Sequence, residues 1–202
     1  MKPDQIILVC AQGWFQLAQG QCRELQPWAD VKGSALVVVE FAQSQIGVQA
    51  CKGKAEYAAA IIEKAVRAEG AVDGPLQVFV HRQIRHTDSS VVLYTAIPLE
   101  LWQQFQTWSQ QQPDHCLIVP LAGLFQGPAA DEQLQVLHLG SQLHAFSAAR
   151  GKMHYAGATA IGSEPADLHA PLRTVVMQLK ASGWTGAPKG VCWGGVLSDD
   201  LD

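Results

Sequence analysis

The stretch that decides the fold runs from Leu76 to Trp108. It opens with Leu76-Gln77-Val78-Phe79-Val80, passes a polar tip at His86-Thr87-Asp88-Ser89-Ser90, and returns as Val91-Val92-Leu93-Tyr94-Thr95-Ala96. Two apolar runs around a polar tip predict a β-hairpin. Pro98 follows, where a proline is tolerated at a helix start. Leu99, Leu101, Trp102, Phe105 and Trp108 then gather on one side of a helix that runs out in the glutamines before Pro113. Hairpin followed by helix is the unit to look for elsewhere.

Upstream, Ala35-Leu36-Val37-Val38-Val39-Glu40-Phe41 is an unbroken apolar run, as suits a strand covered on both faces. Between it and the hairpin, Ala58, Ile61, Ile62, Ala65 and Val66 keep the i, i+3, i+4 spacing of an amphipathic helix over Ala55 to Glu69, ended by Gly70. The chain opens with a strand at Gln5 to Cys10, a turn at Ala11-Gln12-Gly13, a return over Trp14 to Gln19, and a third strand beginning at Cys22. Downstream lie a short buried strand, Cys116 to Val119, and a short helical turn, Leu121 to Phe125.

Residues 126–133 form a Gly/Pro/acidic linker, which places a boundary there and predicts domains at 1–126 and 127–202. Beyond it a second hairpin–helix series begins. Leu134 to Leu139, the tight turn Gly140-Ser141 and Leu143 to Ala148 are followed by Met153 to Ala156. A helix from about Asp167 to Ala181 comes next, with Pro171 expected in its first turn, and then a short strand at Gly190 to Trp193. Hairpins alternating with helices, twice over, predict an α/β fold of mixed sheets and exclude an all-β barrel or a bundle.

The chain of 202 residues is long enough for one full core or two small lobes. With 48% hydrophobic residues it is not disordered. A net charge of −4 without a basic stripe argues against nucleic acid as a partner. Ile6 to Ala11 is too short to span a bilayer, which predicts no direct membrane insertion, and Met1-Lys2-Pro3-Asp4 has no signal-peptide h-region. Five widely spaced cysteines without a CxxC pair read as reduced thiols of the cytoplasm.

The usual catalytic signatures are missing. The seven histidines show no HxH or HxxxH spacing, so no metal site is expected. There is no G-x-S-x-G elbow, and Gly140-Ser141 reads as a hairpin turn. Gly186-Ala187-Pro188-Lys189-Gly190 imitates a phosphate loop but lacks its Ser or Thr. The Trp102, Phe105, Trp108 stripe reads first as core packing and second as a groove for a partner.

In their order, these elements resemble the actin-like ATPase superfamily. They are most similar to PilM-type pilus assembly proteins and to the cytoplasmic actin-like domain of type II secretion GspL proteins. Four places carry the resemblance: the turn at Ala11-Gln12-Gly13; the strand–Pro–helix step Val91 to Trp102, with Leu117-Ile118-Val119-Pro120 after it; His138-Leu139-Gly140-Ser141 with Arg150-Gly151-Lys152 and Ala160-Ile161-Gly162; and Cys192-Trp193-Gly194-Gly195. The resemblance implies a ribonuclease H-like, actin-like fold of mixed sheets and helices, with two related lobes, the second reduced. The chain then reads either as a shortened protein or as a piece of a longer one.

The resemblance places a nucleotide at glycine turns, whose N–H groups cradle phosphates, and a metal at aspartates. Gly13, Gly140, Ser141, Gly194 and Gly195 are the remnants of that site. The acids are absent: the first turn is Cys10-Ala11-Gln12-Gly13 and the second carries His138. The expectation is therefore no catalytic residue, no metal and no cofactor, ATP with magnesium being the alternative. The implied role is a non-catalytic scaffold of a type IV pilus or type II secretion assembly platform, cytoplasmic and recruited to the inner-membrane face. Its partner would be the cytoplasmic tail of a bitopic inner-membrane protein, with Arg82, Arg85, Trp102 and Phe105 as the contact residues; a homodimer is also allowed. The alternative function is an actin-like ATPase with atypical phosphate and metal motifs.

Overall fold

The computed structural model describes residues 3–72, 74–126, 134–149, 151–160, 162, 164–186 and 191–194. It is mixed α/β. The strands are β1 (Gln5–Cys10), β2 (Gly13–Ala18), β3 (Gln21–Leu25), β4 (Ala35–Val39), β5 (Gln45–Lys52), β6 (Leu76–Arg85), β7 (Ser89–Pro98), β8 (Cys116–Pro120), β9 (Leu134–Leu139), β10 (Gln142–Ala149), β11 (Lys152–Thr159) and β12 (Val191–Gly194). The helices are α1 (Ala58–Glu69), α2 (Leu99–Gln110) and α3 (Pro165–Ala181), with single 3-10 segments at Ala55–Tyr57 and Leu121–Gln126.

One sheet has the order β3-β2-β1-β4-β8 and another the order β11-β10-β9-β12. Their connectivity is the same. In each, the first strand pairs antiparallel with the second through a two-residue turn, Cys10↔Gly13 in one and Leu139↔Gln142 in the other. The third strand adds antiparallel to the second. The fourth returns to lie parallel to the first. The first sheet continues with β8, parallel to β4. The repeated hairpin order in the sequence is thus a repeated strand order.

The chain forms two compact units. The first comprises Met1–Ile46, Ala59–Phe79 and Thr95–Leu124; the second comprises Gly47–Ala58, Val80–Tyr94 and Phe125–Asp202. A third sheet has the order β5-β7-β6. That two related lobes meet at 126/127 is a claim about likeness between the halves of the sequence, and it stays a proposal.

In the first unit, β4 is an interior strand, parallel to β1 on one side and to β8 on the other. Val37, Val38 and Val39 are all buried, as its unbroken apolar run requires. Ile7, Val9, Ala35 and Val37 pack with Phe105 and Trp108 of α2. Trp14 and Phe105 stack at 5.8 Å, Trp108 meets Trp14 edge-on at 5.1 Å, and Phe41 meets Phe105 edge-on at 5.1 Å. These are favoured aromatic geometries. In the second unit Leu134, Val136, Leu143 and Ala145 of the sheet pack under Leu168, Val175 and Leu179 of α3.

Three details depart from the sequence reading. Strand β5 was not anticipated; its apolar residues Ile46, Val48 and Ala50 alternate, but glutamines and Gly47 interrupt them. Gly47 has a reason to be there, because a Cβ would fall 3.1–3.2 Å from the ring and hydroxyl of buried Tyr94. Strand β6 runs five residues past Val80, through the whole basic cluster to Arg85. Helix α3 starts at Pro165, so Pro171 lies inside the helix and not in its first turn; its ring removes the donor that would bond the Asp167 carbonyl.

Candidate functional site

The two turns that would cradle phosphate are built differently from each other. Gly13 has φ +140° and ends the β1–β2 turn. The Cys10 thiol lies 3.8 Å from the Gly13 carbonyl, within reach to donate to it. Burial pushes the Cys10 thiol up, and the charge of Glu40 adds to this, so the thiol favours its protonated form at neutral pH. Gly140 has φ +57°, the left-handed conformation glycine adopts at little cost. The Ser141 carbonyl accepts a hydrogen bond from the Ala160 N–H at 2.7 Å, so it is occupied in holding the end of β11.

His138, in the place the resemblance gives to an acid, is 5% exposed. It is registered opposite Leu143, a residue of the core under α3. Opposed residues of an antiparallel pair share a face, so this imidazole belongs to the core side. Gly194 ends β12 and is registered with Leu137; Gly195 lies outside the described residues. Gly13 belongs to the first unit, and Gly140, Ser141 and Gly194 to the second. Among the described residues, no three His, Cys, Asp or Glu side chains are grouped to hold a metal ion.

The partner-contact candidates also fall in both units. Arg82 and Arg85 lie in the second, Trp102 and Phe105 in the first. Arg82 lies inside strand β6. There it is half-buried, with its guanidinium carbon 5.7 Å from the centre of the buried Phe146 ring, a cation–π distance. Its Nη1 is buried and has no hydrogen-bond partner among the described residues. Arg85 is exposed at the strand end, and the turn beyond it is closed by the His86 N–H donating to Ser89 at 2.8 Å.

Trp102 is half-buried and edge-on to Phe79, with ring centres 4.7 Å apart. Phe105 is 4% exposed and serves the core, which is the packing reading of the stripe. Beside this core lies an aromatic that faces solvent and that no periodic pattern singles out. Trp28, in the loop between β3 and β4, is 43% exposed, and its ring centre is 4.8 Å from that of Phe105 and 5.1 Å from that of Trp14. The only hint in the sequence is a lone tryptophan after Pro27 in a turn-forming stretch.

Two sheets of repeated order with helices against them make a mixed α/β fold of the actin-like, ribonuclease H-like class, the class expected from the sequence. A comparison with solved structures bears this out. The chain is similar to Cyto-EpsL, the cytoplasmic domain of EpsL, an inner membrane component of the type II secretion system of Vibrio cholerae. The TM-score is 0.51 at 8% sequence identity, over 77% of this chain and 71% of that one. The resemblance to type II secretion cytoplasmic domains therefore holds at the level of the fold. No protein-family model matches the chain, and no curated protein matches it. No helix among the described residues is long and apolar enough to cross a membrane.

Proposed function

We propose that this chain is a non-catalytic actin-like scaffold domain of a type II secretion or type IV pilus assembly platform. It would work in the cytoplasm, held at the inner-membrane face by the cytoplasmic tail of a bitopic membrane protein. The observation that carries the reading is the fold likeness to the EpsL cytoplasmic domain. Two local facts support the non-catalytic part: the neutral thiol of Cys10 in the first turn and the core-side His138 in the second. Without a carboxylate to hold Mg²⁺, charge developing on a transferring phosphoryl group loses its main stabiliser. In this reading Arg85 and Trp102 offer surface to the partner, while Arg82 and Phe105 act from within, holding the strand and helix that present them. The degenerate turns at Gly13, Gly140 and Gly194 are kept for the turns they make.

Localisation tests the proposal. A fluorescent fusion of the full chain is expressed with and without the single-span membrane proteins encoded beside it. Signal at the cell periphery that depends on one of them is the expected result. Diffuse signal under every combination would contradict it.

A further inference from the structure

Along the outward side of α2 lies a groove of about 510 Å³. It is lined by the two tryptophans Trp28 and Trp108 and by the neutral polar side chains of Gln104, Thr107 and Gln111 among others. Glu100 is the one charged residue lining it. All of these residues belong to the first unit.

The groove is held in shape. Trp28 sits at φ +63°, a conformation that bulky residues rarely adopt. Such an outlier persists only where its surroundings fix it, and here they do. The Ala29 N–H donates to the Gln26 carbonyl at 3.2 Å, making a tight turn under the tryptophan. Trp108 Nε1 donates to the Ala29 carbonyl at 3.2 Å. The Val31 N–H donates to Gln112 Oε1 at 2.8 Å, and the Gln112 amide donates back to the Trp108 carbonyl at 2.9 Å. The loop therefore presents an exposed indole from a rigid mount, with little ordering left to do on binding.

An exposed indole and a lone carboxylate lining one groove are a complement for a cation. The ring attracts an ammonium or guanidinium through its quadrupole, and the carboxylate supplies the counter-charge. The neutral amides around them can pair with an extended backbone but with no particular side chain. Segments immediately cytoplasmic of a membrane span carry an excess of Lys and Arg. We infer that the Trp28–Glu100 groove takes an extended peptide through one lysine or arginine, and that its occupant is the juxtamembrane part of the tail of a bitopic partner. This rests on the function proposed above and adds to it the place and chemistry of docking.

The test uses the full chain and synthetic peptides covering the cytoplasmic tails of the single-span proteins encoded beside it. Each Lys and Arg of a binding peptide is replaced in turn by Gln, and the peptides are titrated against wild type, Glu100→Gln, Gln104→Arg and Lys64→Glu. Glu100 and Gln104 are exposed, so these variants leave the core untouched. One peptide Lys or Arg should emerge whose replacement raises Kd at least fivefold in wild type and less than twofold in Glu100→Gln. Gln104→Arg should weaken binding about tenfold and Lys64→Glu, an exposed residue of α1 away from the groove, no more than twofold. A tail that binds equally to wild type, Glu100→Gln and Gln104→Arg would overturn the groove assignment and leave the scaffold reading standing. If no tail binds wild type, both fall.

Discussion

The indole Nε1 of Trp108 donates to the backbone carbonyl of Ala29 across 79 positions of sequence, at 3.2 Å. This bond ties α2 to the loop that carries Trp28, and so couples the aromatic core of the first unit to its surface. Trp108→Phe keeps a ring in the core but leaves the Ala29 carbonyl without its donor. The expected cost is about 1–2 kcal/mol, from the lost hydrogen bond and the smaller ring. It should appear as a lower urea midpoint. An unchanged midpoint would mean that the loop is held by other contacts.

The imidazole of His81, on β6, gives a pH dependence. Burial pushes it down to about 4, against roughly 6.5 in an unfolded chain. As pH falls the unfolded state takes up the proton first, so stability is complete above about pH 6.5 and is lost progressively toward pH 4. The loss is at most about 3 kcal/mol over that window. Urea unfolding at pH 7 and pH 5 measures it. His81→Phe should flatten the difference; an equally steep decline in that variant would assign the effect to another group.

Gly157 makes room for a polar pair. A Cβ there would lie 3.2 Å from the Tyr155 hydroxyl, which sits 2.7 Å from His144 Nδ1. Gly157→Ala should therefore push the hydroxyl off the imidazole at a cost of about 1 kcal/mol. Tyr155→Phe removes the same bond. The double variant should cost clearly less than the sum of the two, since both act on one contact. Strict additivity in thermal or urea unfolding would show that the two substitutions act independently.

Phosphate release is the test of the degenerate turns. With Cys10 protonated and His138 turned to the core side, magnesium-dependent ATP hydrolysis by the purified protein should not exceed the buffer blank. Gly140→Val should change nothing. Turnover that needs a divalent ion and disappears in Gly140→Val would restore the ATPase alternative.

How much of this was legible in the sequence depended on which residues carried the signal. The hairpin–helix order gave the repeated sheets, because Val37, Val38, Val39 and the Leu76–Trp108 stretch have clean periodicity. Strand β5 was hidden by Gly47, whose place is set by a distant partner, Tyr94, and not by its neighbours. Arg82 reads from the sequence as a surface contact because arginines are usually solvated, yet it lies inside a strand with its guanidinium over Phe146. Helical spacing identified Phe105 and Trp108, but no local pattern could bring Trp14 and Trp28 to them. The groove beside Trp28 depends on a positive φ and on hydrogen bonds that span some 80 positions, neither of which leaves a trace in periodicity.

The central claim is that this fold is kept as a binding scaffold, and calorimetric titration tests it most directly. The purified full chain is titrated with the cytoplasmic tail of each single-span membrane protein encoded beside it, with ATP and magnesium present and absent. The account expects one tail to bind at one-to-one stoichiometry with a Kd of micromolar order, weakened by salt and indifferent to nucleotide, since a short peptide gives up ordering entropy on binding. Heat from ATP with magnesium alone, and none from any tail, would contradict it.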